Sequence, residues 1–111
     1  MSLKVKGLLF SGPYELDGTT VRHNHSPVVY IVVDKSGEAW DPRYTAIYVD
    51  ETGGKTVVFK EHPELNNWQN AAKGKVSLYF YTPEPGSPDV VAIRQSVVSM
   101  INAELPMAIN H

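Results

Sequence analysis

The sequence predicts an α+β domain: a small, mostly antiparallel sheet of three to four strands with helices packed on its faces. Three observations point that way. The run Val28-Val29-Tyr30-Ile31-Val32-Val33 is rich in β-branched residues and free of charge, the pattern of a strand buried on both faces. Near the C-terminus, Val90, Ile93, Val97, Val98, Met100, Ile101 and Leu105 follow one another on one broad helical face. Eight Gly and eight Pro among the 111 residues cut the rest into short elements.

The elements follow in order. Lys4 to Ser11 is a short apolar segment closed by the turn signal Ser11-Gly12-Pro13, and Asp17-Gly18 marks a second turn. Residues 1–25 are thus expected as an N-terminal extension packed on a domain of residues 26–111, a single domain overall. Pro27 opens the first strand of that domain, and Lys35-Ser36-Gly37 turns the chain. The stretch through Trp40, Asp41 and Pro42 reads as a loop longer than a simple hairpin needs. Tyr44 to Val49 is the second strand, leaving through Thr52-Gly53-Gly54, and Val57-Val58-Phe59 suits a short third piece. Pro63 to Lys73 predicts a helix, with Pro at a first position, Glu64 in the first turn, and Leu65, Trp68 and Ala72 at helical spacing. Val76 to Tyr81 alternates like a strand. The last helix is expected to begin with Ser87 as cap, Pro88 first and Asp89 at its positive end, and to stop before Pro106.

Composition narrows the function classes. The absence of cysteine excludes disulfides, thiolate zinc sites and a cysteine nucleophile. Ten Lys+Arg against twelve Asp+Glu give a net charge of −2, so no overall basic field draws in nucleic acid. The longest apolar run, Val28 to Val33, is far too short to cross a bilayer, and no secretory leader is visible. The expectation is a cytoplasmic protein with no membrane partner.

Two tyrosine-bearing strand ends carry a family resemblance. Val28-Val29-Tyr30 and Tyr48-Val49-Asp50 stand where the GIY-YIG nuclease superfamily has Gly-Ile-Tyr and Tyr-Ile-Gly. The stretch Arg94 to Ile101, followed by Pro106 and Asn110, resembles that family's last helix and its trailing residues. The resemblance covers about residues 26 to 110. It implies a metal-dependent phosphodiesterase centre built from the two tyrosines, an arginine on the first helix and a metal-holding glutamate on the last, the metal polarising a phosphoryl oxygen. The chain departs from this at the chemistry. Val98 occupies the glutamate position and binds no cation. No arginine lies between Arg43 and Arg94, and Lys60 lacks a guanidinium's bidentate fork. Val28 and Asp50 replace the motif glycines. The implied protein is a catalytically degenerate GIY-YIG-like domain kept as a binding or interaction module.

Each candidate also has a plainer role. Tyr30 and Tyr48, the motif-equivalent residues, suit amphipathic strand positions with the ring inside and the hydroxyl near water. Arg94 falls near the middle of the apolar helix face, where a guanidinium needs an acid such as Asp50 or Glu51. His23-Asn24-His25 offers two imidazoles but too few further ligands for zinc, and His62 before Pro63 suits a helix start better than a base. Glu51, Glu61 and Glu64 suit a solvated surface, and Trp40 a packed loop anchor. Lys55, Lys60, Lys73 and Lys75 would make a basic patch only if folding gathered them. The expected groove is lined by Tyr30, Tyr48, Asp50, Glu51, Arg94, Val98 and Asn110, with both tyrosines beside the last helix and Val98 facing them. No catalytic residue, metal ligand or cofactor is expected, and a protein or small-molecule partner is preferred to nucleic acid. Two rivals remain: a divergent endonuclease using a divalent metal such as magnesium on relocated acids, and an unrelated small α+β protein-interaction domain.

Overall fold

Lys6 and Gly7 take φ values of 52° and 81°. Two successive positive φ angles close a two-residue hairpin whose twist matches its strands. That turn joins β1 (Ser2–Val5) to β2 (Leu8–Tyr14), with Val5 opposite Leu8. The computed structural model describes residues 2–24, 26–83 and 90–109. The remaining strands are β3 (Thr20–Val21), β4 (Val29–Glu38), β5 (Asp41–Glu51), β6 (Val57–Val58), β7 (Lys75–Tyr81) and β8 (Met107–Ile109). Helix α1 spans Leu65–Ala71 after a 3-10 turn at Phe59–Glu61, and α2 spans Val90–Asn102.

This overturns the expected small sheet. Among the described residues 46% lie in strands and 23% in helices. Six strands form one antiparallel sheet in the order β1-β2-β7-β4-β5-β8, curled into a half-barrel, while β3 and β6 make a separate ribbon. Three differences account for the larger sheet. The N-terminal segment supplies two strands, β1 and β2. The stretch through Trp40 is a two-residue turn with Glu38 opposite Asp41, so β4 and β5 run on for ten and eleven residues. Past Pro106 the chain adds β8 along β5, with Ile109 opposite Tyr44. The proposed cap Ser87, Pro88 and Asp89 lies outside the described residues. Among the described residues no helix is long and apolar enough to cross a membrane.

The sheet separates two apolar clusters. On the concave side, residues from all six strands, among them Leu3, Phe10, Ile31, Val49, Tyr79 and Ile109, enclose Val97 and Ile101 of α2. On the outer side, Tyr30, Val32 and Leu78 meet Phe59 and Trp68 of α1. Strand β4 serves both, so Val29 to Val33 are all buried, as a strand covered on both faces requires.

Asp34 ties α1 to the sheet. It is buried, and its two carboxylate oxygens accept the N–H groups of Lys73 and Gly74, each at 2.9 Å. Gly74 is needed there because a Cβ would lie 2.1 Å from the Lys35 carbonyl oxygen. Asp34→Ala is expected to cost about 2–3 kcal/mol, because it removes two hydrogen bonds to a charged acceptor. Asp34→Asn, which keeps one acceptor, is expected to lose less. Urea denaturation of both variants checks the order.

Candidate functional site

The site grows from the pairing of β4 with β5. Side chains alternate across a strand, so Tyr30 and Val32 face the outer side together. Their partners on β5 are Asp50 and Tyr48. A bulge shifts the register between Val32 and Val33, letting Ile47 and Tyr48 both serve the outer cluster while Tyr44 and Ala46 serve the concave one. Tyr30 and Tyr48 therefore stack, with ring centroids 6.2 Å apart. The chain entering α1 then lays His62 across both rings, and its imidazole lies 4.5 Å from the Trp68 ring.

Polar atoms join these side chains in two groups, one through His62 and Tyr30 and one through Tyr48 and Asp50. The backbone N–H of Glu64 donates to His62 Nδ1 at 3.0 Å, and His62 Nε2 lies 3.2 Å from the Tyr30 hydroxyl. Tyr48 donates to Asp50 Oδ2 at 3.5 Å, the outer limit of such a bond, and the Glu51 N–H donates to Asp50 Oδ1 at 2.8 Å. Burial pushes the Tyr30 phenol far above its usual range, and the nearby Tyr48 and Asp50 add to the shift. Burial raises Tyr48 too, with Asp50 and Glu64 reinforcing it. His62 moves down because burial outweighs the pull of Glu64 and Asp50. At neutral pH both phenols keep their protons and the imidazole is neutral.

Beside these side chains opens a cavity of about 420 Å³, bordered by Tyr30, Asp50, Glu51, Lys55, Glu61 and His62. Its lining combines Asp50, Glu61, Lys55, Thr52 and Thr56 with the rings of Tyr30 and His62, so it can take a small hydrogen-bonding molecule. Among the described residues no group of three or more His, Asp or Glu could hold a metal ion.

The structure brings Tyr30, Tyr48 and Asp50 together but sets the other candidates apart. Glu51 follows Asp50 on β5 and borders the cavity, yet its carboxylate lies 3.6 Å from Arg94 Nε on the α2 side. Val98 packs on the concave cluster with α2. The sheet thus stands between the tyrosine pair and Val98, which do not share a groove. Arg94 takes the structural role, 7% exposed and paired with Glu51. Asn110 and His25 lie outside the described residues, and His23 meets Thr56 through a 3.0 Å contact. Lys55 borders the cavity near the start of β4, whereas Lys73 and Lys75 meet β4 at Asp34 and Lys35, so folding does not gather the four lysines. Trp40, expected as a packed anchor, is 82% exposed at the hairpin tip.

His62 is the site residue that sequence reasoning placed elsewhere. His62-Pro63 signals a helix start, and nothing local in the sequence shows that the ring reaches Tyr30, 32 positions earlier. No protein-family model, curated protein or solved structure matches this chain.

Proposed function

We propose that this domain is a non-catalytic binding module whose ligand is a small polar molecule held in the cavity beside Tyr30, Asp50 and His62. The observation that carries this reading is the convergence of Tyr30, Asp50 and His62 on one cavity wall, where His62 Nε2 lies 3.2 Å from the Tyr30 hydroxyl. A volume of about 420 Å³ lies within the range of small-ligand sites. Asp50 and Glu61 border the cavity against the single cation Lys55 among its lining residues, a poor setting for a phosphate backbone. The GIY-YIG resemblance does not carry this reading, because Val98 packs in the α2 cluster across the sheet from Tyr30 and Tyr48. A relocated metal site has less support. Asp50 accepts from Tyr48 and the Glu51 N–H, and Glu64 accepts from Asn67 at 2.7 Å.

Amide chemical shifts recorded against a panel of small amines, sugars, carboxylates and phosphates test the proposal. Binding is expected to shift Asp50, Lys55 and His62, and Asp50→Asn is expected to weaken it about tenfold, or ~1.4 kcal/mol. No DNA cleavage is expected with magnesium or manganese. Submicromolar binding of a labelled duplex at physiological salt, lost on neutralising Lys55, Lys60, Lys73 and Lys75 together, would overturn this reading in favour of nucleic acid.

A further inference from the structure

We propose that the end of the β4–β5 hairpin is a self-association surface, on which a second copy of this chain packs across a two-fold axis. The hairpin outruns its neighbours. Strand β7 pairs with β4 only as far as Lys35, and β8 pairs with β5 only from Tyr44. The rows from Ser36–Arg43 to Glu38–Asp41 therefore have no paired strand on either side. At the tip Trp40 is 82% exposed, more than any other large apolar side chain described. A tryptophan held in water on a tight turn is the residue type that most often anchors an interface.

The face leading from this tip to α1 has its charges sorted by sign. Alternation puts Glu38, Ser36 and Asp34 of β4 on the outer side, with Asp41, Arg43 and Thr45 of β5 opposite them. These residues border a groove of about 730 Å³ that also takes in Ile47, Ala71 and Lys73. The acids Glu38 and Asp41 lie at the tip end, and the cations Arg43 and Lys73 lie nearer α1. All four are exposed, and among the described residues none of them forms an ion pair. Asp34, the fifth charge, is buried and holds the N–H groups of Lys73 and Gly74.

That sorting selects the occupant. The exposed charges cancel, so the face attracts neither a polyanion nor a polycation, but a second copy turned end for end matches both halves at once. An axis through the Gly37–Pro42 row lays the Glu38–Asp41 row of each copy on the Ser36–Arg43 row of the other, each about 3.4 Å from the axis. Positions 37 and 42 face the opposite side of the hairpin, and Gly37 has no side chain, so that row leaves room between the two faces. Each Trp40 then falls on the groove of the other copy, toward Thr45 and Lys73. Such a contact repeats itself and closes at two copies. It lies at the far end of β4 and β5 from Tyr30 and Asp50, so it does not rest on the binding reading above.

Sedimentation equilibrium of the full chain at about 0.5 mM tests the proposal. A monomer–dimer equilibrium is expected, weakened by salt because exposed ion pairs are screened. Trp40→Ala is expected to weaken it roughly thirtyfold, the effect of losing an interface anchor. Charge swaps then read the geometry. Glu38→Lys with Asp41→Lys makes all four exposed charges positive, and Arg43→Glu with Lys73→Glu makes them negative, so each double variant is expected to be monomeric alone. Mixed in equal amounts the two are expected to pair, because each tip then meets an opposite charge. Trp40→Ala, at an exposed turn, keeps the test decisive should a swapped variant not fold. A wild-type chain that stays monomeric overturns the proposal, as does a dimer indifferent to Trp40→Ala, or folded swap variants that do not pair on mixing. A monomer that sediments with phosphatidylcholine vesicles through Trp40 overturns it in favour of a membrane surface.

Discussion

Trp68→Ala is expected to destabilise the protein by about 3–5 kcal/mol, the usual cost of removing a buried tryptophan whose cavity cannot collapse. The space left behind stays open because Trp68, 3% exposed, is the one buried residue of α1 and packs against the rings of Tyr48 at 5.0 Å and His62 at 4.5 Å. Its loss unseats α1 from the outer face, and with it His62 and Pro63, which border the cavity. Trp68→Phe separates the ring from its polar atom. Trp68 Nε1 is buried without a hydrogen-bond partner among the described residues, so phenylalanine discards an unsatisfied donor. That variant is expected to lose only about 1–2 kcal/mol, for the smaller ring alone. Chemical denaturation checks both values, and a Phe variant as unstable as the Ala variant would show that the indole N–H has a partner.

Arg94→Ala is expected to cost about 3–5 kcal/mol, toward the lower end, because it leaves the Glu51 carboxylate uncompensated under α2. Arg94 sits in the buried row of that helix with Val97 and Ile101. Its Nε lies 3.6 Å from Glu51 Oε1, and neither Nε nor Glu51 Oε2 has a hydrogen-bond partner among the described residues. The Glu51 side chain keeps 20% exposure, which softens the penalty. A pair so loosely joined contributes little beyond its own desolvation. Arg94→Met combined with Glu51→Leu is therefore expected to be near neutral or stabilising. Denaturant midpoints of the single and double variants form the test, and a near-neutral Arg94→Ala would show that the carboxylate reaches water without its partner.

Local patterns determined a good part of this protein from the sequence alone. The β-branched run became the first half of β4, the alternating Val76 to Tyr81 segment became β7, and the apolar periodicity after Val90 became α2. Each signal is a short-range record of burial, repeating every second residue in a strand and about every third or fourth in a helix. The buried placement of Arg94 followed from the same periodicity. The number of strands did not follow, because β1, β2 and β8 are short and their turns are weakly marked. Lys6 takes a positive φ that glycine or asparagine would have advertised, and Ala39-Trp40 lacks the usual glycine of a tight hairpin.

Only the tertiary structure decided which candidates meet. By simple alternation Tyr44, Ala46 and Tyr48 would share one face of β5, but the bulge beside Ile47 inverts that order and sends Tyr48 to the outer side. Asp50 follows Tyr48 to the tyrosine pair, while Glu51 turns toward Arg94. His62 joins Tyr30 because the 3-10 turn and α1 fold back across β4 and β5, a contact between residues 32 apart that no local spacing encodes. The sequence determined which segments are buried, since burial writes its period into each element. The pairing of faces depends on a register shift and a long-range packing choice, and these exist only once the sheet has formed.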